Sequence, residues 1–175
     1  MTKAQIVLWV GGAALLFWLV GAYNRLVSLR GAIVRQFVPV ESQLTQRHGL
    51  LLQQIDALAP VLLNAAPRLD ALRAACQQCS AACAHAKVRP GAVGAITSLR
   101  LAEDILGDAR ARLPVQSVAG IDLSDLNAQL VATDMALAFA RGQFNDAVIE
   151  YNDAVRQFPT VLLVGLFGFR AAGTL

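Results

Sequence analysis

Three cysteines and a histidine come closest to a recognisable chemical pattern. Cys76, Cys79 and Cys83 form C-x2-C-x3-C, and His85 follows two residues later. Soft ligands at short spacing are what a zinc or iron–sulfur centre asks for. On one continuous helix the same residues read differently. They share a stripe that Leu69 and Leu72 continue toward the N-terminus, and cysteine in such a stripe behaves as a small hydrophobe. Thiolates about 5–6 Å apart along one helix face cannot close a tetrahedral cage alone. The other histidine, His48, belongs to no second ligand cluster. The expectation is packing, with no metal and no cofactor. An odd number of cysteines also suits a reducing compartment.

Other chemistry is equally thin. No G-x-S-x-G, P-loop or G-x-G-x-x-G occurs. Arg89-Pro90-Gly91-Ala92-Val93-Gly94 lacks the Lys-Ser/Thr of a phosphate loop and reads as a turn. Glu103 and Asp104 are adjacent acids that point to different helix faces, and the expectation is a solvated surface rather than acid–base work. No catalytic residue is assigned, and no enzyme is expected.

Composition sets what must position these residues. Of 175 residues, 56% are hydrophobic and only 15% charged, against about 25% charged in an ordinary soluble domain. That balance excludes intrinsic disorder. Residues 1–50 carry five basic side chains against one acidic, whereas the remainder carries ten against eleven. The basic surplus is therefore local. With no Lys/Arg run interleaved by aromatics, nucleic acid is not an expected partner.

Ala4 to Asn24 is free of charge and bracketed by Lys3 and Arg25. These 21 residues span about 31 Å as a helix, close to the hydrocarbon thickness of a bilayer. A cleaved signal peptide is the rival, with Val20-Gly21-Ala22 as its small-residue site. Arg25, Arg30 and Arg35 follow at once and resist translocation, so the expectation is an uncleaved single-pass anchor. The N-terminus would lie outside and the body would be cytoplasmic. Those three arginines would sit close to lipid.

Beyond the anchor, Leu26, Leu29, Ile33, Phe37, Val40 and Leu44 recur at helical spacing. Pro39 should kink or interrupt this stem. Further helices are expected from Pro67 to about Lys87, from about Ala92 to Leu113, and from Asp122 as N-cap, with Asp125 closing a weak capping box, over some 36 residues toward Pro159. Pro114 through Gly120 reads as the longest loop. No stretch alternates like a strand. The fold expected is all-α, a membrane helix (1–24) continuing into a bundle of long antiparallel helices (25–158), then an apolar tail (159–175).

The last helix carries a heptad repeat. Phe144-Asn145-Asp146-Ala147-Val148 returns as Tyr151-Asn152-Asp153-Ala154-Val155, followed by Phe158-Pro159. A period of seven keeps like residues on one coiled-coil-like seam, and asparagines beside it can fix the register of a partner helix. In the tail, Val161, Leu162, Leu163, Val164, Leu166, Phe167 and Phe169 crowd together. The segment is too short to span a bilayer. It either folds back on its own bundle or is covered by lipid or a second copy, and a homo-oligomer of many copies is expected to bury it.

Two stretches carry a family resemblance: Tyr23-Asn24-Arg25-Leu26-Val27-Ser28-Leu29-Arg30, and Phe144 to Phe169 with its two Asn-Asp-Ala-Val units, Phe158-Pro159-Thr160 and Leu166-Phe167-Gly168-Phe169. They resemble the two ends of a LemA family protein, and the likeness over residues 20–37 and 134–169 covers roughly a third of the chain. In the middle, Arg47-His48-Gly49-Leu50-Leu51-Leu52 keeps only part of the family pattern, and Pro39, Pro60 and Pro67 look like additions. The resemblance implies a single-pass bacterial membrane protein with a cytoplasmic helical bundle and no enzymatic activity. It points to membrane organisation, remodelling or envelope stress. A self-assembling scaffold is the first reading, and an adaptor for a membrane protease or sensor kinase is the second.

Overall fold

The computed structural model describes residues 2–62, 65–113 and 122–175, with all side chains in these except Ala4, Ile6, Leu162, Leu163 and Leu166. The loop expected at Pro114–Gly120 and the packing expected of Leu162 and Leu166 fall outside what is described. The described residues form five helices and no strand: α1 (Lys3–Leu58), α2 (Ala66–Val88), α3 (Val93–Ala111), α4 (Ser124–Arg156) and α5 (Val161–Phe167).

α1 is a single helix of 56 residues, about 84 Å long. Its beginning stands apart from the bundle and exposes Val7, Leu8, Trp9 and Phe17. By length and composition it is the one candidate membrane-spanning helix among the described residues. From Leu26 onward it enters the core: Leu26, Ile33, Phe37, Val40, Leu44, Leu51, Ile55 and Leu58 are all buried. Pro39 does not interrupt it. The proline ring lies on the exposed side, so the carbonyl its missing N–H would have bonded, that of Arg35, can turn to solvent.

Four helices run up, down, up and down. Asp56 meets Arg73 and Glu41 meets Lys87, so α2 returns along α1. Glu103 meets Arg141 and Asp134 meets Arg110, so α4 returns along α3. Phe37 packs edge-on against Phe144 with ring centroids 5.7 Å apart, and Gln54 donates to Asn127 at 3.1 Å, which pairs α1 and α4 antiparallel. Leu69, Leu72, Cys76, Cys79 and Cys83 form the buried stripe of α2. Small side chains on that stripe let α2 lie close to its neighbours. On α3 the buried stripe is Ala95, Ile96, Leu99, Ala102 and Leu106, with Ile105 exposed.

Helix ends depart from expectation in detail. α4 begins at Ser124 with Leu123 at the cap position. Asp122 accepts the Ser124 N–H at 2.9 Å from one residue further out, and Asp125 takes the Gln129 carboxamide rather than closing a box. The last turn stops at Arg156, where Gln157 turns extended. Phe158 therefore leaves the heptad line, and it is 76% exposed instead of packed.

A charged cluster crosses the middle of the bundle. Glu103 accepts from Arg47 at 2.6 Å and from Arg141, while Asp134 accepts from Arg110 at 2.8 Å and lies 3.7 Å from Arg47. The Glu103 side chain is only 9% exposed, so it is not the solvated acid expected, whereas Asp104 is exposed. Glu103 stands one residue from Ala102 and three from Leu106, at the edge of the buried stripe, and it meets the guanidinium groups of Arg47 on α1 and Arg141 on α4. Glu103→Gln should lower stability by about 3 kcal/mol, because Arg47 is left buried without a full counter-charge. Replacing Glu103, Arg47 and Arg141 together by methionine or leucine should recover most of the loss. Thermal melting followed by circular dichroism checks both.

Candidate functional site

The sequence features singled out at the two ends of the chain converge on one end of the bundle. Tyr23 packs at a tilt against Phe167 and edge-on against Phe169 of the tail, with ring centroids 5.1 and 5.9 Å apart. α5 thus lies beside the point where α1 leaves its exposed apolar stretch. Phe169 is 9% exposed within its own chain, while Val161 and Phe167 stay open. Asn24 and Arg25 are exposed, as are Arg30 and Arg35.

After α5 the chain turns at Gly168, with φ +68° and ψ +25°. Glycine suits this left-handed cap because a Cβ would strain it. From there residues 169–175 run without regular structure along α4. Two asparagines hold them. The Asn152 carboxamide donates to the Ala172 carbonyl at 3.0 Å and accepts the Ala172 N–H at 2.8 Å. Asn145 does the same for Leu175, both bonds at 2.9 Å. Between them the Tyr151 hydroxyl donates to the Arg170 carbonyl at 3.0 Å.

The spacing explains the repeat. Seven helical residues rise about 10.5 Å, and three residues of extended chain cover about 10 Å. Side chains one heptad apart on α4 therefore meet peptide groups three residues apart on the tail. Each carboxamide, carrying one donor and one acceptor side by side, pairs with a backbone unit as a neighbouring strand would. The asparagines do not set the register of a partner helix, as the heptad suggested. They set the register of the tail. The tail also touches α3, where a Cβ on Gly173 would come within 3.0 Å of the Val93 Cα, so the backbone passes there only because Gly173 has none.

The cysteines lie elsewhere, in the interior. Cys76, Cys79 and Cys83 are buried free thiols. Burial pushes Cys79 up to about 12 and Cys83 to about 11, and raises Cys76 as well. Thiols held protonated are poor nucleophiles and poor ligands. Among the described residues no group of three or more His, Cys, Asp or Glu is arranged to hold a metal ion.

His48 was not singled out for any role, and its setting is unusual. It is 7% exposed, and its Nε2 has no hydrogen-bond partner among the described residues. Burial first, then the Arg47 charge, lowers its pKa from 6.5 to about 4. The buried ring is thus neutral at pH 7.

What these residues define is a four-helix bundle whose first helix extends beyond it as an apolar rod and whose C-terminal tail is pinned back by paired asparagines. The LemA family model matches residues 119–175, the stretch that holds α4, α5 and the pinned tail. The C-terminal third of the chain thus carries the LemA family signature, in agreement with the resemblance drawn from Phe144 to Phe169. No curated protein and no solved structure matches the chain. Sequence reasoning missed Ala172 and Leu175 as the partners of the asparagines, since an extended tail has no periodicity of its own. The doubled Asn at seven-residue spacing was the available signal.

Two predictions follow from this geometry. Asn152→Ala removes two hydrogen bonds and should cost about 1–2 kcal/mol locally. Hydrogen exchange at Ala172 should accelerate well before exchange in α4, and Asn145→Ala should do the same at Leu175. For His48, the unfolded chain takes up a proton as pH falls below about 6.5 while the folded chain resists until about 4. Stability is therefore lost on acidification across that window, by about 3 kcal/mol for a drop of that size. His48→Gln should flatten the melting temperature between pH 7 and pH 4.5 relative to the unmodified chain.

Proposed function

We propose that the chain is a single-pass, membrane-anchored helical scaffold that assembles with copies of itself at the bacterial cytoplasmic membrane. Its N-terminus lies outside and its bundle inside. The observation that carries this reading is the continuity of α1. One unbroken helix supplies both the exposed apolar rod and the central stripe of the bundle core, so a bilayer around the rod would hold the bundle at a set orientation. Tyr23, Phe167 and Phe169 gather where the rod ends, the level at which aromatic side chains favour a membrane interface. Arg25, Arg30 and Arg35 follow just beyond, each worth about 1 kcal/mol toward anionic lipid near the surface.

Self-association is supported by the outer face of α4. Val131, Met135 and Phe139 stand at four-residue intervals, the last two 70% and 71% exposed, with the exposed Ala132 and Ala136 between them. Such a face suits close contact with another helix. The role is structural rather than enzymatic, in membrane organisation, remodelling or envelope stress, with lipid and other copies as partners.

Light scattering and electron microscopy of the detergent-extracted full chain test this. Large, regular particles are expected, and Met135→Glu with Phe139→Glu should reduce them to monomers without loss of helicity. A chain that is monomeric from the start would sink self-assembly and leave the adaptor reading, in which the same face receives a membrane protease or sensor. A C-terminal fluorescent-protein fusion tests topology, since it should fluoresce only if residue 175 is cytoplasmic.

A further inference from the structure

A cavity of about 610 Å³ opens between α1, the turn joining α2 to α3, α4 and the pinned tail. Three arginines line it, each from a different segment: Arg30 from α1, Arg89 from the turn and Arg170 from the tail. No aspartate or glutamate lines it. Among the described residues none of the three arginines forms an ion pair, although Arg47, Arg73, Arg110 and Arg141 all do. Three unpaired cations facing one space repel each other, and an anion between them relieves that repulsion.

The cavity wall adds donors of another kind. Val93 and Gly94, in the first turn of α3, line it. The cap residue is Ala92, which offers no side-chain acceptor, and the first turn contains no acid. The leading N–H groups of a helix have no intrahelical partner, and a Cβ on Gly94 would meet nothing within 4 Å. Those donors thus have no side-chain cap, and they belong to residues of the cavity wall. Planar guanidinium forks together with helix N–H groups are the combination that recognises a phosphate.

We propose that this cavity binds a phosphate group, the chemistry shared by an anionic lipid headgroup and free phosphate, and that a headgroup is its source. Arg30 lies seven residues beyond Tyr23, about 10 Å along α1. Headgroups extend about 5–7 Å past the hydrocarbon, and a long arginine stem covers the remainder. The choice of source rests on the anchor reading, but the phosphate chemistry does not. The tail completes the site: Arg170 enters it only because Asn145, Asn152 and Tyr151 hold the chain there.

Calorimetric titration of the full chain in a neutral detergent tests the proposal. The probes are dihexanoyl phosphatidic acid, dihexanoyl phosphatidylcholine and inorganic phosphate. Short-chain lipids need no bilayer, so failure of the anchor reading leaves this measurement intact. The expected result is saturable binding of phosphatidic acid, about one per chain, with the choline lipid at least about ten-fold weaker. Arg89→Gln should weaken it about five-fold or more, and Arg30→Gln, Arg89→Gln and Arg170→Gln together should abolish it. All three arginines are exposed, so an unchanged melting curve is expected and confirms folding. Arg68→Gln with Arg112→Gln, on the opposite groove between α2 and α3, should change nothing. Inorganic phosphate binding as tightly as the lipid, with the same arginine dependence, would uphold the phosphate site and overturn the headgroup as its source. Equal binding of phosphatidic acid by the triple variant, or equal binding of the choline lipid by the unmodified chain that the triple variant retains, would overturn the site altogether.

Discussion

Everything in this molecule depends on α1 serving two solvents without a break. Its first part exposes apolar side chains, and its second buries one apolar stripe and carries its charged side chains on other faces. A helix can make that change in one turn because backbone hydrogen bonding is indifferent to what the side chains face. The antiparallel pairing of α1 with α4, marked by Phe37 against Phe144, then brings the end of α4 back to where the rod begins. α5 and the tail can only be placed after that pairing is made, since their contacts are with Tyr23 at one end and with α4 along the rest.

The polar interior has the opposite character. Hydrophobic burial alone would allow α3 and α4 to slide against α1, because leucine and alanine stripes fit in several registers. Glu103 between Arg47 and Arg141 fits in one. Burying these groups costs desolvation that their attraction barely offsets, and among the described residues the Nε atoms of Arg47 and Arg141 have no partner. The cluster is thus a poor source of stability and a good source of register. His48, whose Nε2 has no partner among the described residues, fits the same account: burial first, and the Arg47 charge second, favour its neutral form.

The sequence made this division visible only in part. Leu26 to Leu44 and Leu69 to Cys83 were legible because burial on a helix leaves a 3.6-residue trace. Pro39 does not interrupt α1, because its effect depends on which side of the helix it occupies, and that side is set by packing. Glu103 misled because its partner Arg47 stands 56 residues away, and a distant pair leaves no local pattern. Phe158 obeyed the heptad in sequence but not in space, since α4 ends two residues earlier. The asparagines were recognisable as special, but their partners lie in an extended segment that periodicity cannot detect.

That last point links the family signature to the cavity. Asn145, Tyr151 and Asn152 all bond to backbone atoms of the tail, so they impose position on Ala172 and Leu175 without demanding particular side chains there. What the tail must supply is freedom from Cβ where it turns at Gly168 and where it crosses Val93 at Gly173. Arg170 lies between those two glycines, and its carbonyl is the one held by Tyr151. Holding the main chain at that residue leaves the guanidinium free to face the cavity. A tail pinned by its backbone is therefore a means of delivering one charged side chain to a fixed place beside Arg30 and Arg89. The heptad spacing on α4 is the ruler that sets where that place is.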